Sequence, residues 1–107
     1  MAILVQYRVK ANCAAENEQF IGRVFEALSR EKPSGIRYAS FKAPDGVSFT
    51  HFAVVDTDDG KNPLLALEAF KAFASKIRER CETPPQTTEL VEVGTYRMFD
   101  GGSTRSA

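Results

Sequence analysis

The chain has 107 residues, 43% of them hydrophobic and 26% charged, which suits one globular domain and is too short for two. Fourteen basic residues balance fourteen acidic ones, so partners captured mainly through charge, such as a nucleic acid backbone or an anionic membrane, are excluded. No run reaches the roughly 18 apolar residues of a membrane span, the N-terminus lacks the basic region and cleavage site of a signal peptide, and Cys13 and Cys81 are too few for a disulfide framework, so a cytoplasmic protein with reduced thiols is expected.

Ile3 to Lys10 reads as a strand, because Val5, Tyr7 and Val9 alternate with Gln6, Arg8 and Lys10. Asn12 offers an N-cap, and from Cys13 to about Lys32 the residues Phe20, Ile21, Val24, Phe25 and Leu28 follow the i, i+3, i+4 spacing of an amphipathic helix. Glu16 and Glu18 fall in its early turns, where the helix dipole favours acids, and Pro33-Ser34-Gly35 ends it. Ile36 to Lys42 is the second strand. Ala43-Pro44-Asp45-Gly46 is turn chemistry that makes a hairpin with the third strand, Ser48 to Asp56. Asn62-Pro63 starts a second helix, predicted to run to about Cys81 with Leu67, Phe70, Ala74 and Ile77 inward; Lys76, Arg78 and Arg80 suit its C-terminal dipole. Pro84 and Pro85 bar its continuation, and Glu89 to Phe99 is predicted as the fourth strand. Residues 1–99 form one domain, and Asp100 to Ala107 is expected to be a flexible tail.

The order β-α-β-β-α-β is a doubled split β-α-β, an α+β ferredoxin-like arrangement. Right-handed crossovers give an antiparallel sheet in the order 4-1-3-2 with both helices on one face. The uncovered face should then be polar at one parity of each strand. In the third strand Phe49, His51, Ala53 and Val55 oppose Thr50, Phe52 and Val54, so both faces are apolar. Sheets of that kind are covered on both sides, and the simplest cover is the same sheet from a twofold-related copy. A homodimer through sheet-to-sheet packing is expected.

Several stretches carry a family likeness: the opening strand Ile3 to Lys10, Phe20 in the first helix, the run Ser48 to Asp56, the helix with Leu67-Glu68-Ala69-Phe70-Lys71-Ala72-Phe73, and the closing run Val93 to Phe99. Over residues 2 to 99 the chain resembles the dimeric α/β-barrel superfamily, and within it the antibiotic biosynthesis monooxygenase-like group. The resemblance implies two sheets packed face to face and a small pocket in each subunit between sheet and helices. It also implies one of two chemistries: oxidation of polycyclic aromatic phenols by O₂ with no cofactor, or haem cleavage. Known sites of both kinds use a tryptophan, and this chain has none. The haem-cleaving members need a histidine on the second helix, whereas the one histidine here, His51, is on the third strand.

His51 is the candidate general base for deprotonating a phenolic substrate, since imidazole titrates nearest neutrality. The competing reading is a hydrogen-bonded histidine between the sheets. Tyr7, Tyr38 and Tyr96 are candidate substrate-binding phenols, with Phe52 as an apolar wall. Arg97, like Arg8 and Arg37 on strands, could stabilise a substrate anion or serve a sheet edge. The acidic run Asp56-Thr57-Asp58-Asp59-Gly60 is not an EF-hand loop, because positions six and twelve would be Lys61 and Leu67. No metal site follows. An RNA-recognition domain shares the element order, but Val47 stands where its first stacking aromatic belongs. Two functions remain: a cofactor-independent monooxygenase acting on a small aromatic or polyketide-like substrate, and a non-catalytic homodimer that binds a small apolar ligand or serves stress tolerance.

Overall fold

The computed structural model describes residues 1–98. The predicted end of the last strand at Phe99 and the tail from Asp100 to Ala107 lie outside the described residues. Strands β1 (Ala2–Val9), β2 (Ile36–Lys42), β3 (Ser48–Val55) and β4 (Cys81–Leu90) form one antiparallel sheet in the order β2-β3-β1-β4, as the topology argument requires. Helices α1 (Ala14–Glu31), α2 (Glu68–Ser75) and the single turn α3 (Ile77–Arg80) complete the fold. The core lies between sheet and helices: Tyr7, Val9 and Phe49 from strands meet Val24 and Ala27 of α1 and Phe73 of α2, with Leu64 and Leu67 from the segment before α2.

Three predicted elements need correction. The fourth strand is Cys81–Leu90, not Glu89 to Phe99. The two prolines that stop the helix sit inside this strand, because β4 pairs only with β1 and its outer edge needs no N–H donors. Between Gln6↔Gln86 and Arg8↔Thr83, β1 advances two residues while β4 advances three, so Pro84 and Pro85 ride on a bulge. The second helix is also not continuous. A 3₁₀ turn, Pro63–Ala66, is followed by Leu67 in extended conformation, and α2 and α3 are separated by Lys76. The Asn62 side chain does cap as predicted, accepting the Leu64 N–H at 3.0 Å. Leu64, in the 3₁₀ turn, and Leu67, at the break, are both buried in the core. Finally, α1 is preceded by a 3₁₀ turn over Ala11–Cys13, so Asn12 is not its cap. Lys32, left-handed at φ 47°, closes it with its N–H on the Leu28 carbonyl.

Gly35 is left-handed at φ 79°, and an added Cβ would lie 2.5 Å from Thr57 Cγ2, so only glycine fits where the chain turns into β2 against the end of β3. The hairpin between β2 and β3 is fixed by Asp45, whose carboxylate accepts the Val47 and Ser48 N–H groups and the Ser48 hydroxyl. Those bonds, the Ser48 hydroxyl's foremost, hold the Asp45 carboxyl down at about 2.

Strand parity divides the sheet. Residues Ile3, Val5, Tyr7 and Val9 of β1 and Phe49, His51, Ala53 and Val55 of β3 face the helices. The other face carries Leu4, Ala39, Phe41, Phe52, Val54 and Leu90, with Phe41 52% exposed. Beyond β4, Val91 is 87% and Val93 100% exposed, and no strand forms there.

Candidate functional site

The sheet register builds a polar cluster inside the helix-covered face. Ser40 of β2 stands directly opposite His51 of β3, while Tyr38 and Tyr7 reach it from diagonal positions on the two flanking strands. Ser40 Oγ lies 2.6 Å and Tyr38 OH 2.9 Å from His51 Nδ1. Tyr7 OH lies 2.7 Å from His51 Nε2. The His51 ring is nearly parallel to the Tyr7 and Tyr38 rings, and the Phe73 edge meets it at 5.4 Å between centroids.

The cluster continues into the helices. Asn17 of α1, fully buried, donates its amide to Tyr7 OH at 2.8 Å. Arg80, at the end of α3 and 4% exposed, donates from Nε to Asn17 Oδ1 at 3.1 Å and from Nη2 to the Phe73 carbonyl at 2.7 Å. Its guanidinium lies 4.5 Å from the Phe20 ring centroid and 5.5 Å from that of Phe73. Among the described residues no carboxylate pairs with it, so its charge is balanced by carbonyl dipoles and ring faces.

Burial sets the protonation states. Desolvation lowers His51 to about 4, leaving a neutral imidazole at physiological pH. It also raises Tyr38 to about 12 and raises Tyr7 further, against the opposing hydrogen bonds from Ser40 and Asn17 respectively. The three rings stack on one another and on Phe49 and Phe25, so what the cluster can offer a ligand is its converging hydroxyls, which can steer an oxygen by hydrogen bonds. As placed, neither His51 nitrogen has a free lone pair, so proton abstraction by His51 needs a hydroxyl to move first. Among the described residues no three histidine, cysteine or acidic side chains converge as metal ligands.

An open groove of about 250 Å³ runs between the end of α1 and β2, lined by Phe25, Leu28, Lys32, Pro33, Ile36 and Tyr38. Tyr38 is the residue shared by groove and cluster, with Phe25 stacked on it at 5.3 Å.

Of the residues singled out by sequence, the fold brings together His51, Tyr7 and Tyr38. Phe52 points to the opposite face of β3. Tyr96, 84% exposed, and Arg97, whose guanidinium rests 5.5 Å from the Tyr96 ring, lie in the segment beyond β4 and away from the cluster. Asn17, Ser40 and Arg80 are members that sequence reasoning does not reach. The signal for two of them is present: Asn17 occupies the stripe of Phe20, Ile21 and Val24, and Arg80 follows Ile77 by three on the stripe of the second helix, so each is a polar residue at a core position.

The fold ties these observations to known proteins. The structure superimposes on an antibiotic biosynthesis monooxygenase with a TM-score of 0.71 at 14% identity, covering 87% of this chain and 98% of that one. The chain has the fold of the antibiotic biosynthesis monooxygenases. Rv0793 from Mycobacterium tuberculosis matches at a TM-score of 0.67 and 12% identity, over 87% of this chain and 97% of that one. A mutant of SnoaB, a cofactor-independent oxygenase from Streptomyces nogalater, matches at 0.59 and 19%, over 86% and 93%. No family model and no curated protein matches the sequence. The resemblance read from the sequence therefore holds for the fold, while activity must be argued from the cluster itself.

Proposed function

We propose that the chain is a cofactor-independent monooxygenase-like enzyme acting on a small aromatic or polyketide-like substrate, with the His51 cluster as its site. The observation that carries this reading is a neutral imidazole held between two phenols, one of which, Tyr38, also lines a groove. The substrate oxygen is received at the Tyr38–Ser40 end of the cluster, where a hydroxyl hydrogen bond favours its anionic form. The substrate is the reductant. Loss of a proton from the substrate carbon to solvent leaves a carbanion that gives electrons to O₂, one oxygen atom becomes a new carbonyl, and the other leaves as water with the two hydrogens lost from that carbon. His51, first considered as a general base, acts in this reading by orienting the hydroxyls. Oxygen uptake with a panel of anthrones and hydroquinones tests it. Wild type is expected to turn over at least one of them, with Tyr38→Phe slower by about 10²-fold, the usual loss for one oxyanion donor. No uptake on any of them favours the second reading, a non-catalytic small-ligand binder, which also suits a cluster in which, among the described residues, every buried side-chain nitrogen and oxygen has a partner.

We also propose that the protein is a cytoplasmic homodimer joined through the open sheet faces. Leu4, Ala39, Phe41, Phe52, Val54 and Leu90 support it, as does the exposed apolar segment after β4. Tyr96 and Arg97 keep a substrate role only in such a dimer, where their segment would lie against the second copy.

A further inference from the structure

Arginine has donors only, and this fact propagates through the cluster. Because Arg80 Nε donates to Asn17, the Asn17 carbonyl oxygen must face Arg80 and its amide must face Tyr7. Tyr7 oxygen thus accepts from Asn17, and its own hydrogen is left for His51 Nε2, 2.7 Å away. Nε2 is then the acceptor, and a neutral imidazole has one acceptor and one donor nitrogen. We propose that Arg80 and Asn17 are positioning residues that lock His51 as the Nδ1–H tautomer and thereby turn the Tyr38–Ser40 end of the cluster into a hydrogen-bond donor for a ligand oxygen.

The donor end follows by counting. His51 Nδ1–H, Ser40 O–H and Tyr38 O–H bring three hydrogens to two hydroxyl oxygens. Nδ1–H donates to one of those oxygens, so His51 accepts neither hydroxyl hydrogen, and even where the two hydroxyls bond each other one hydrogen is left over among the described residues. In the opposite tautomer Nδ1 would accept one of those hydrogens, and the hydrogen left over would be that of Tyr7, which is buried away from the groove. The ligand class this selects is one that presents an acceptor oxygen, a carbonyl, enolate or phenolate, beside an apolar body that fits the groove lined by Phe25, Leu28 and Ile36. The ligand half rests on the proposed site, whereas the tautomer is measured without any ligand, so either can fail alone.

The test is ¹⁵N-detected NMR of the full-length protein at neutral pH, where the one histidine gives an unambiguous signal. Nδ1 is expected at the protonated, pyrrole-type shift and Nε2 at the unprotonated, pyridine-type shift. A wild type protonated at Nε2 overturns the proposal outright. Asn17→Asp keeps the contact with Arg80 but offers Tyr7 only an acceptor, so Tyr7 must turn its hydrogen to the carboxylate and Nε2 is expected to become protonated. An unchanged spectrum in the folded variant overturns the role of Asn17. Arg80→Leu frees Asn17 to rotate, and the two nitrogens are expected to move toward each other as the tautomers average. Wild-type shifts in that folded variant overturn the role of Arg80.

Discussion

The depressed His51 titration makes the protein sensitive to acid in a defined window. Folded His51 titrates at about 4, against the ordinary 6.5. Between those values the unfolded chain carries a proton that the folded chain refuses. Unfolding then takes up a proton, so stability is full above pH 6.5 and falls as the pH drops toward 4. At about 1.36 kcal/mol for every pH unit between the two values, the loss is about 3 kcal/mol, a large share of the roughly 5–15 kcal/mol typical of a domain. His51 is 3% exposed, so solvent screening does not erode the figure. The comparison variant is His51→Gln, whose amide can accept from Tyr7 and donate to Ser40 without titrating. Urea unfolding of both proteins from pH 7 to pH 3.5, at one protein concentration, cancels every carboxylate they share. The wild-type advantage is expected to shrink by about 3 kcal/mol across the window. Parallel pH curves would refute the claim that burial forbids charge on His51.

Three further outcomes follow from the geometry. Arg80→Leu removes the partner of Asn17 Oδ1 and the Phe73 carbonyl and is expected to cost about 2–4 kcal/mol in urea unfolding, since buried acceptors left unpaired are expensive. Gly35→Ala and Gly46→Ala share φ 79°, but only Gly35 has an atom in the way. The first should cost about 3 kcal/mol and the second about 1 kcal/mol, and equal losses would mean that the Thr57 contact does not matter. Sedimentation equilibrium at micromolar concentration should give twice 11.8 kDa for wild type. Phe41→Glu, a charge on the open face, should return the monomer mass, and a monomeric wild type would refute sheet-to-sheet pairing.

Much of this fold is legible in the sequence because it follows from periodicity and turn chemistry. The alternation at Val5, Tyr7 and Val9, the stripe through Phe20 and Val24, and the Asp45-Gly46 turn each specify their element locally. The fourth strand is misplaced for a reason local patterns do not contain. Val91, Val93 and Thr95 have better strand propensity than Glu82-Thr83-Pro84-Pro85, yet pairing with β1 is offered to the residues that leave α3 beside it. Register, not propensity, chose the strand. The site divides in the same way. His51 and the tyrosines draw attention by their chemistry, whereas Asn17 and Arg80 matter because the chain folds back across a sequence separation of 63 to bring them together. Their polarity on apolar stripes is the visible sign. For Arg80 it is masked by a position that also suits the helix dipole, and for Asn17 by the ordinariness of one amide near a helix start.

The energetics of the cluster bear on why it is there at all. A buried guanidinium without a carboxylate, linked through an amide and a phenol to an imidazole, loses more hydration than it regains, and apolar residues of the same shape would hold this interior at least as well. Tyr7, His51 and Arg80 already supply ring and stem surface to the core, so packing alone needs none of their polar atoms. What the polar atoms add is direction. A fixed cation at one end dictates where each hydrogen points, through four bonds and five elements of structure, as far as Ser40 and the groove-lining Tyr38. At half-buried Ser40 and Tyr38, where water can take the hydrogen, a purely structural network has no use for a spare donor. A binding site does, because that hydrogen is the one a ligand oxygen can claim. The arrangement is therefore easier to account for as a site whose polarity is set from within the core than as a core that happens to contain polar groups.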